Sequence, residues 1–409
     1  MSSGARVPVR EDESTARELR GTLALLGTAT AVGSMGLAAG GTAGPLLAVQ
    51  MTGTNAAAGV PVALNLAGSA VGALLISRLA ALGRRGQGLA LGFATGALGA
   101  AVVVVAAAAW SFGLVLAGSM LLGCANAAVF LSRYAAVVAV PPHRRGRALG
   151  RVLFATSVGA VISPMLLGPG GSLAAGIGLA QPTGAYLVAV AGFGCAAVVF
   201  WALAGRLAAG RTEPGAGRGL ALAIRDPKTL PAIITLAVTN FAMVGVMTVA
   251  PVQLGAHGNG LEMVGLVVAL HVVCMFGPSL VTGYLADRFH PIVVIVAGGV
   301  LLLAGGAVGM FAGEHGAVVM TVHLLLIGLG WNGGMVGGSA LLSATAPVRL
   351  RTHLEGIGEA AMNVAAVAAA PLAGAVSVLT GYAGLSICFG VSAAAGLTLS
   401  CRRARVRGS

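Results

Sequence analysis

Long apolar runs, broken by short arginine-bearing segments, make up most of this 409-residue chain. Residues 21–77, 152–205 and 360–401 contain no Asp, Glu, Lys or Arg. A helix needs about 20 apolar residues to cross a bilayer, so each charge-free block holds about two crossings. The pattern predicts an all-α membrane protein with twelve transmembrane helices. They are placed at 22–49, 59–79, 88–109, 113–136, 148–171, 183–205, 230–254, 261–286, 291–313, 316–340, 354–379 and 381–401. The first run is too long for a cleaved signal segment and more spans follow it, so it reads as a permanent helix.

The polar breaks carry the orientation. The 24 Lys and Arg residues fall on one side of the twelve-span pattern. Their clusters include Arg6–Arg20, Arg78/Arg84/Arg85, Arg144/Arg145/Arg147/Arg151, Arg206 to Lys228, Arg349/Arg351 and Arg402–Arg407. Segments 50–58, 172–182 and 255–260, assigned to the other side, have none. Basic residues in short loops mark the cytoplasmic side. Each pair of spans leaves and returns, so both termini are expected in the cytoplasm of a multi-pass protein of the cytoplasmic membrane.

Composition agrees. Charged residues are 9% of the chain, against about 25% in soluble domains. The net charge of +13 is dealt out among short loops, which suits membrane topology and anionic headgroups rather than nucleic acid. Cys124, Cys195, Cys274, Cys388 and Cys401 lie in or at the ends of spans, with no metal-finger spacing, so no disulfide framework is expected.

The longest polar break, 206–229, divides six spans from six. It predicts an N-terminal half at 1–205, a cytoplasmic linker at 206–229 with a short surface helix around Leu220–Arg225, and a C-terminal half at 230–409. The halves echo each other. Gly72-Ala-Leu-Leu-Ile-Ser77-Arg78 and then Gly83-Arg84-Arg85 follow the second span; Gly283-Tyr-Leu-Ala-Asp287-Arg288 follows the eighth. A six-span duplication is a transporter architecture.

Gly283-Tyr-Leu-Ala-Asp287-Arg288 resembles the loop signature of the major facilitator superfamily, and with the two halves the likeness covers nearly the whole chain. The resemblance implies a twelve-helix fold of two six-helix pseudo-repeats. It also implies a cytoplasmic latch between the halves, through Gly283, Asp287 and Arg288 and, in the first half, Arg78, Arg84 and Arg85. Ser77 stands where the first-half copy usually has an acid. Arg133-Tyr134 and Pro141-Pro142-His-Arg144-Arg145-Gly-Arg147 resemble the loop between the fourth and fifth spans. Gly159-Ala-Val-Ile-Ser163-Pro164 resembles the fifth-span motif of drug–proton antiporters, with Gly159 and Pro164 as the kink.

Polar groups at mid-membrane are costly and therefore informative. The first six spans hold no acid. The seventh offers Asn240, Met243 and Met247, the eighth His271, Cys274 and Met275, and the tenth His323, Trp331 and Asn332. Met243/Met247 and His271/Met275 are each four apart, on one helix face. At ~1.5 Å per residue Met243 lies about 16 Å and His271 about 15 Å from the outer ends of their spans. Thioethers and imidazoles suit Cu(I); the same residues also serve packing and interhelical hydrogen bonds. Met-x-x-x-Met and His-x-x-x-Met in these spans, with Met247-Thr-Val-Ala-Pro251 and Gly328-Leu-Gly330-Trp331-Asn332, resemble the CcoA-like copper importers of the superfamily. That resemblance implies Met243, Met247, His271 and Met275 as ligands for copper in transit, a substrate and not a cofactor. No cofactor and no catalytic set is expected, and no phosphate-binding loop occurs. The expected partners are the lipid bilayer and a small-molecule or metal-ion substrate, with the chain a monomer. The alternative activity is proton-coupled efflux of a small organic molecule.

Overall fold

The computed structural model describes residues 9–53, 57, 59–138, 140, 142–207, 222, 224, 226–256, 261–312 and 316–405. Its helices in the first half are Val9–Ser34 (α1), Gly44–Thr52 (α2), Gly59–Ala81 (α3), Arg85–Ala108 (α4), Phe112–Val138 (α5), Arg145–Met165 (α6), Leu167–Gly176 (α7) and Thr183–Ala202 (α8). The second half has Leu230–Ala256 (α9), Leu261–Phe276 (α10), Ser279–Phe289 (α11), Pro291–Gly309 (α12), Gly316–Thr345 (α13) and Arg351–Arg405 (α14). Most of the expected linker (208–221, 223 and 225) lies outside the described residues, as do 54–56, 58 and 257–260 of the expected outer segments.

Eleven stretches among the described residues are long and apolar enough to cross a membrane, from Gly21–Thr52 to Leu372–Thr398. The remaining span is the first part of α14. That helix is 55 residues long and breaks at Gly381, where φ is 68° and ψ −176°, a conformation open to glycine. The part before the break begins with Arg351, Glu355 and Glu359, whose charges lower its hydropathy. The fold is thus twelve spans in two six-helix repeats.

Three spans are broken, and of these a kink is expected only in the fifth. The fifth, expected at 148–171, divides between α6 and α7, one residue after Pro164 at Met165–Leu166. Proline has no N–H to give and its ring crowds the preceding turn. The eighth, expected at 261–286, divides at Gly277-Pro278 between α10 and α11. The first, expected at 22–49, leaves the α-helix after Ser34, passes a turn, and continues through a π-helical turn at Ala39–Ala43 into α2.

Two buried clusters form the core, one centred on each half. Phe93, Phe193, Phe200, Tyr134 and Tyr186 anchor one buried cluster, and Phe93 stacks on Phe200 with ring centroids 5.3 Å apart. Trp331, Phe389, Leu236 and Leu342 anchor the other. Small residues let the helices approach closely without a hydrophobic drive from lipid. One close crossing joins the halves: a Cβ on Gly146 would sit 2.6 Å from the Gly283 carbonyl, and one on Gly150 would strike the Ser279 carbonyl.

Candidate functional site

The two halves meet at the arginine-rich end in layers. In the outermost layer Asp287, near the end of α11, reaches the first turn of α6. Its Oδ1 accepts from the Gly146 N–H at 2.7 Å and its Oδ2 from the Arg147 N–H at 2.8 Å. The first N–H groups of a helix have no partner of their own and carry the positive dipole end. The carboxylate therefore complements a helix of the opposite half, not its own. The Arg147 guanidinium, 3.9 Å away, adds a half-exposed ion pair, and Arg145 Nη1 donates to the Ser343 carbonyl at 3.2 Å.

On the first-half side of the seam, Arg85 at the start of α4 is buried against α14. Its Nη2 donates to Glu355 Oε2 at 2.8 Å and to Thr352 Oγ1 at 3.2 Å. The Ser77 side chain packs against Gly356, where a Cβ would collide with it. A small residue at position 77 is what this crossing requires. Of the other expected latch residues, Arg78, Arg84 and Arg288 are exposed.

One turn deeper, Arg133 of α5 is fully buried and its Nη2 lies 3.0 Å from Glu359 Oε2. Its Nε donates to Ser339 Oγ at 3.0 Å, and Nη1 to its own helix at the Phe130 carbonyl at 2.6 Å. The guanidinium sits 4.5 Å from the Tyr134 ring centroid. Arg133 therefore belongs to the interior of a span rather than to the basic loops. By sequence resemblance Arg133 is set in the loop between the fourth and fifth spans, and its partner Glu359 has no role. The signal that could have found them is a pair of acids four apart at the start of an otherwise uncharged span, since buried carboxylates require cations.

Deeper again is an aromatic layer with amide partners. Phe130 stacks on Phe276 across the seam, with centroids 6.4 Å apart, and Phe276 meets Trp331 edge-on at 5.3 Å. Trp331 Nε1 donates to Asn240 Oδ1 at 3.0 Å, and Asn240 Nδ2 donates to the Met362 carbonyl at 2.9 Å. Asn332 ties α13 to the break in the eighth span: its Nδ2 donates to the Met275 carbonyl and to Ser279 Oγ, both at 2.7 Å, and its Oδ1 accepts from Thr282 at 2.8 Å. Asn240, Trp331 and Asn332 thus form one connected region.

The sulfur and imidazole residues divide. Met243 and Met247 are half-buried against the second-half core. His271 is buried and turned toward α13, its Nδ1 2.6 Å from the Leu324 carbonyl. A carbonyl only accepts, so Nδ1 carries the proton and Nε2, buried without a partner, holds a lone pair. Met275 is buried beside Phe276. Among the described residues no three His, Cys, Asp or Glu side chains converge as metal ligands. His323 repeats the His271 pattern, its Nδ1 2.7 Å from the Gly305 carbonyl.

The fifth-span motif packs on the first span. Gly159 lies against the Ala31 carbonyl and Ser34. Just before Pro164, the Ser163 hydroxyl donates to the Met35 carbonyl at 2.5 Å and accepts from the Ala38 N–H at 2.9 Å.

Known proteins resemble this chain in sequence and in fold. The family profile of the Major Facilitator Superfamily matches residues 24–336. The uncharacterized MFS-type transporter YdeG of Bacillus subtilis (strain 168) is 33% identical over 382 residues, covering 90% of this chain and 89% of its own. The riboflavin transporter RfnT of Brucella anthropi is 29% identical over 227 residues, 52% of each chain. The crystal structure of the human organic anion transporter MFSD10 superposes with a TM-score of 0.71 at 16% identity, covering 93% of this chain and 99% of that one.

Proposed function

Because this chain belongs to the Major Facilitator Superfamily, and is a membrane transporter and not an enzyme, we propose that its cargo is a small organic solute with a planar, aromatic part. The observation that carries this reading is the layer of Phe130, Phe276 and Trp331, backed by the Asn240 amide, at the seam between the halves. Aromatic faces hold planar solutes by stacking, and an amide adds a directional hydrogen bond. The relative named as a riboflavin transporter agrees with such a cargo.

The arginine-rich face is the cytoplasmic one in this reading, with both termini inside the cell. The halves 1–205 and 230–409 of a monomer rock about the linker 206–229. The Asp287, Arg85 and Arg133 contacts close the cytoplasmic end, leaving the aromatic layer to be reached from the other side. The likeness of the Gly159–Pro164 segment favours efflux against protons as the direction.

The test is transport into and out of proteoliposomes holding the purified chain, with riboflavin and a panel of planar organic solutes under an imposed pH gradient. Gradient-driven movement of one of them, lost in Trp331→Leu, is expected. Absence of movement for the whole panel overturns the reading.

One observation favours a second reading, copper uptake through Met243, Met247, His271 and Met275. The His271 ring is held by a carbonyl with its Nε2 lone pair directed away, as outer partners hold metal-ligating histidines. Cells expressing the chain should then accumulate copper, and His271→Ala or Met243→Leu should abolish the gain. Accumulation equal to the parent in both variants ends this reading.

A further inference from the structure

The arginine-rich end holds a cavity beside the latch contacts. Its volume is about 420 Å³, and its wall includes His143, Arg145, Asp287, Arg288, Phe289 and His290. The carboxylate in this wall is already committed, since both Asp287 oxygens accept backbone N–H groups of α6. Arg145 spends one nitrogen on the Ser343 carbonyl, and its Nε is buried without a partner. Arg288 is exposed beside it. Two arginines and two imidazoles thus surround one space, with no uncommitted acid in its wall.

An anion in that space would touch both halves of the molecule. Arg145 and His143 come from the first half, Arg288 and His290 from the second. The surroundings specify what kind of anion. Helix α12 begins at Pro291 on the cavity wall. Val293, Val296 and Val300 follow, 51%, 41% and 62% exposed. Spacings of three and four put them on one helix face, forming an apolar stripe about 10 Å long that leads away from the cavity. A cationic pocket at the head of a lipid-facing apolar stripe matches an amphiphile better than a free ion.

We propose that this cavity binds the phosphate headgroup of an anionic phospholipid, with an acyl chain along Val293–Val300. The phosphate bridges Arg145 and Arg288 and so holds the latch closed. Basic pockets between spans are recognised lipid headgroup sites. The proposal rests on the chain being a membrane transporter and is independent of its cargo.

The experiment uses the full chain in a neutral detergent. Its melting temperature is followed as phosphatidylglycerol, phosphatidylcholine or inorganic phosphate is added at matched phosphate concentration, and retained lipid is counted by native mass spectrometry. Phosphatidylglycerol should raise the melting temperature, and the other two should not. Arg288→Gln should weaken the apparent phosphatidylglycerol affinity by about fivefold, the worth of one arginine near an anionic surface. Arg145→Gln should do the same. If Arg145→Gln does not fold, Arg288→Gln decides alone, because its side chain is exposed and is not packed into the fold. An equal shift from phosphatidylcholine or from inorganic phosphate, or parental affinity in Arg288→Gln, overturns the site.

Discussion

Arg133 and Glu359, 226 residues apart in sequence, face each other across the seam with 3.0 Å between Nη2 and Oε2 and side chains no more than 2% exposed. Desolvating such a pair costs about what its attraction returns, whereas removing one partner leaves a bare buried charge. Glu359→Leu should therefore destabilise the protein by about 3–5 kcal/mol, and Arg133→Met by a similar amount. The double variant should recover most of the loss. Thermal unfolding in detergent of the two singles and the double closes this cycle. Additive losses would show that the pair is not coupled.

Asp287 acts on a helix that is not its own, and its charge should matter more than its shape. Asp287→Asn keeps an acceptor for one N–H of α6 and loses the charge–dipole attraction, worth about 0.3–2 kcal/mol. A cysteine placed at the buried seam residue Ser339 reports opening of the arginine-rich end. Its labelling by an impermeant thiol reagent should rise about two- to thirtyfold in Asp287→Asn, the range those energies imply. Unchanged labelling would remove Asp287 from the latch.

The close crossing of α6 and α11 depends on two glycines meeting backbone. Gly150→Ala should push the halves apart, because the added methyl strikes the Ser279 carbonyl rather than a side chain that can turn aside. Overpacking of this kind costs about 1–3 kcal/mol. Gly194→Ala is the control, since a Cβ there has open space around it. Thiol labelling at position 339 should increase in the first variant and stay at the parental rate in the second.

What could be read from the sequence follows from where physics leaves little choice. Lipid demands apolar runs of about 20 residues, so the spans and the two-part division were visible directly. The Asp287 motif was visible as a motif, but its receiving helix was not, because α6 lies 140 residues away. Arg133 reads as one more basic residue near Pro141-Pro142. Only packing shows that it turns inward to Glu359. His271 sits in a span, yet its rotation toward Leu324 is set by neighbours that no periodicity encodes. The breaks in the fifth and eighth spans had their prolines in view. The break in the first has no proline, and its support comes from a residue 125 to 128 positions away.

That support makes the last prediction. Between Ser34 and the π-helical turn at Ala39–Ala43, the first span lacks its regular hydrogen-bond ladder, and Ser163 supplies both a donor for the Met35 carbonyl and an acceptor for the Ala38 N–H. Inside a bilayer no water replaces a missing partner. Ser163→Ala leaves two backbone groups unsatisfied, at about 1–3 kcal/mol each. Ser163→Thr keeps the hydroxyl and should stay close to the parent. The alanine variant should melt earlier, and the Ala38 amide should exchange its hydrogen faster, while exchange within Gly59–Ala81 stays as in the parent. Parental melting together with parental exchange at Ala38 would mean that the break holds itself and the serine is incidental.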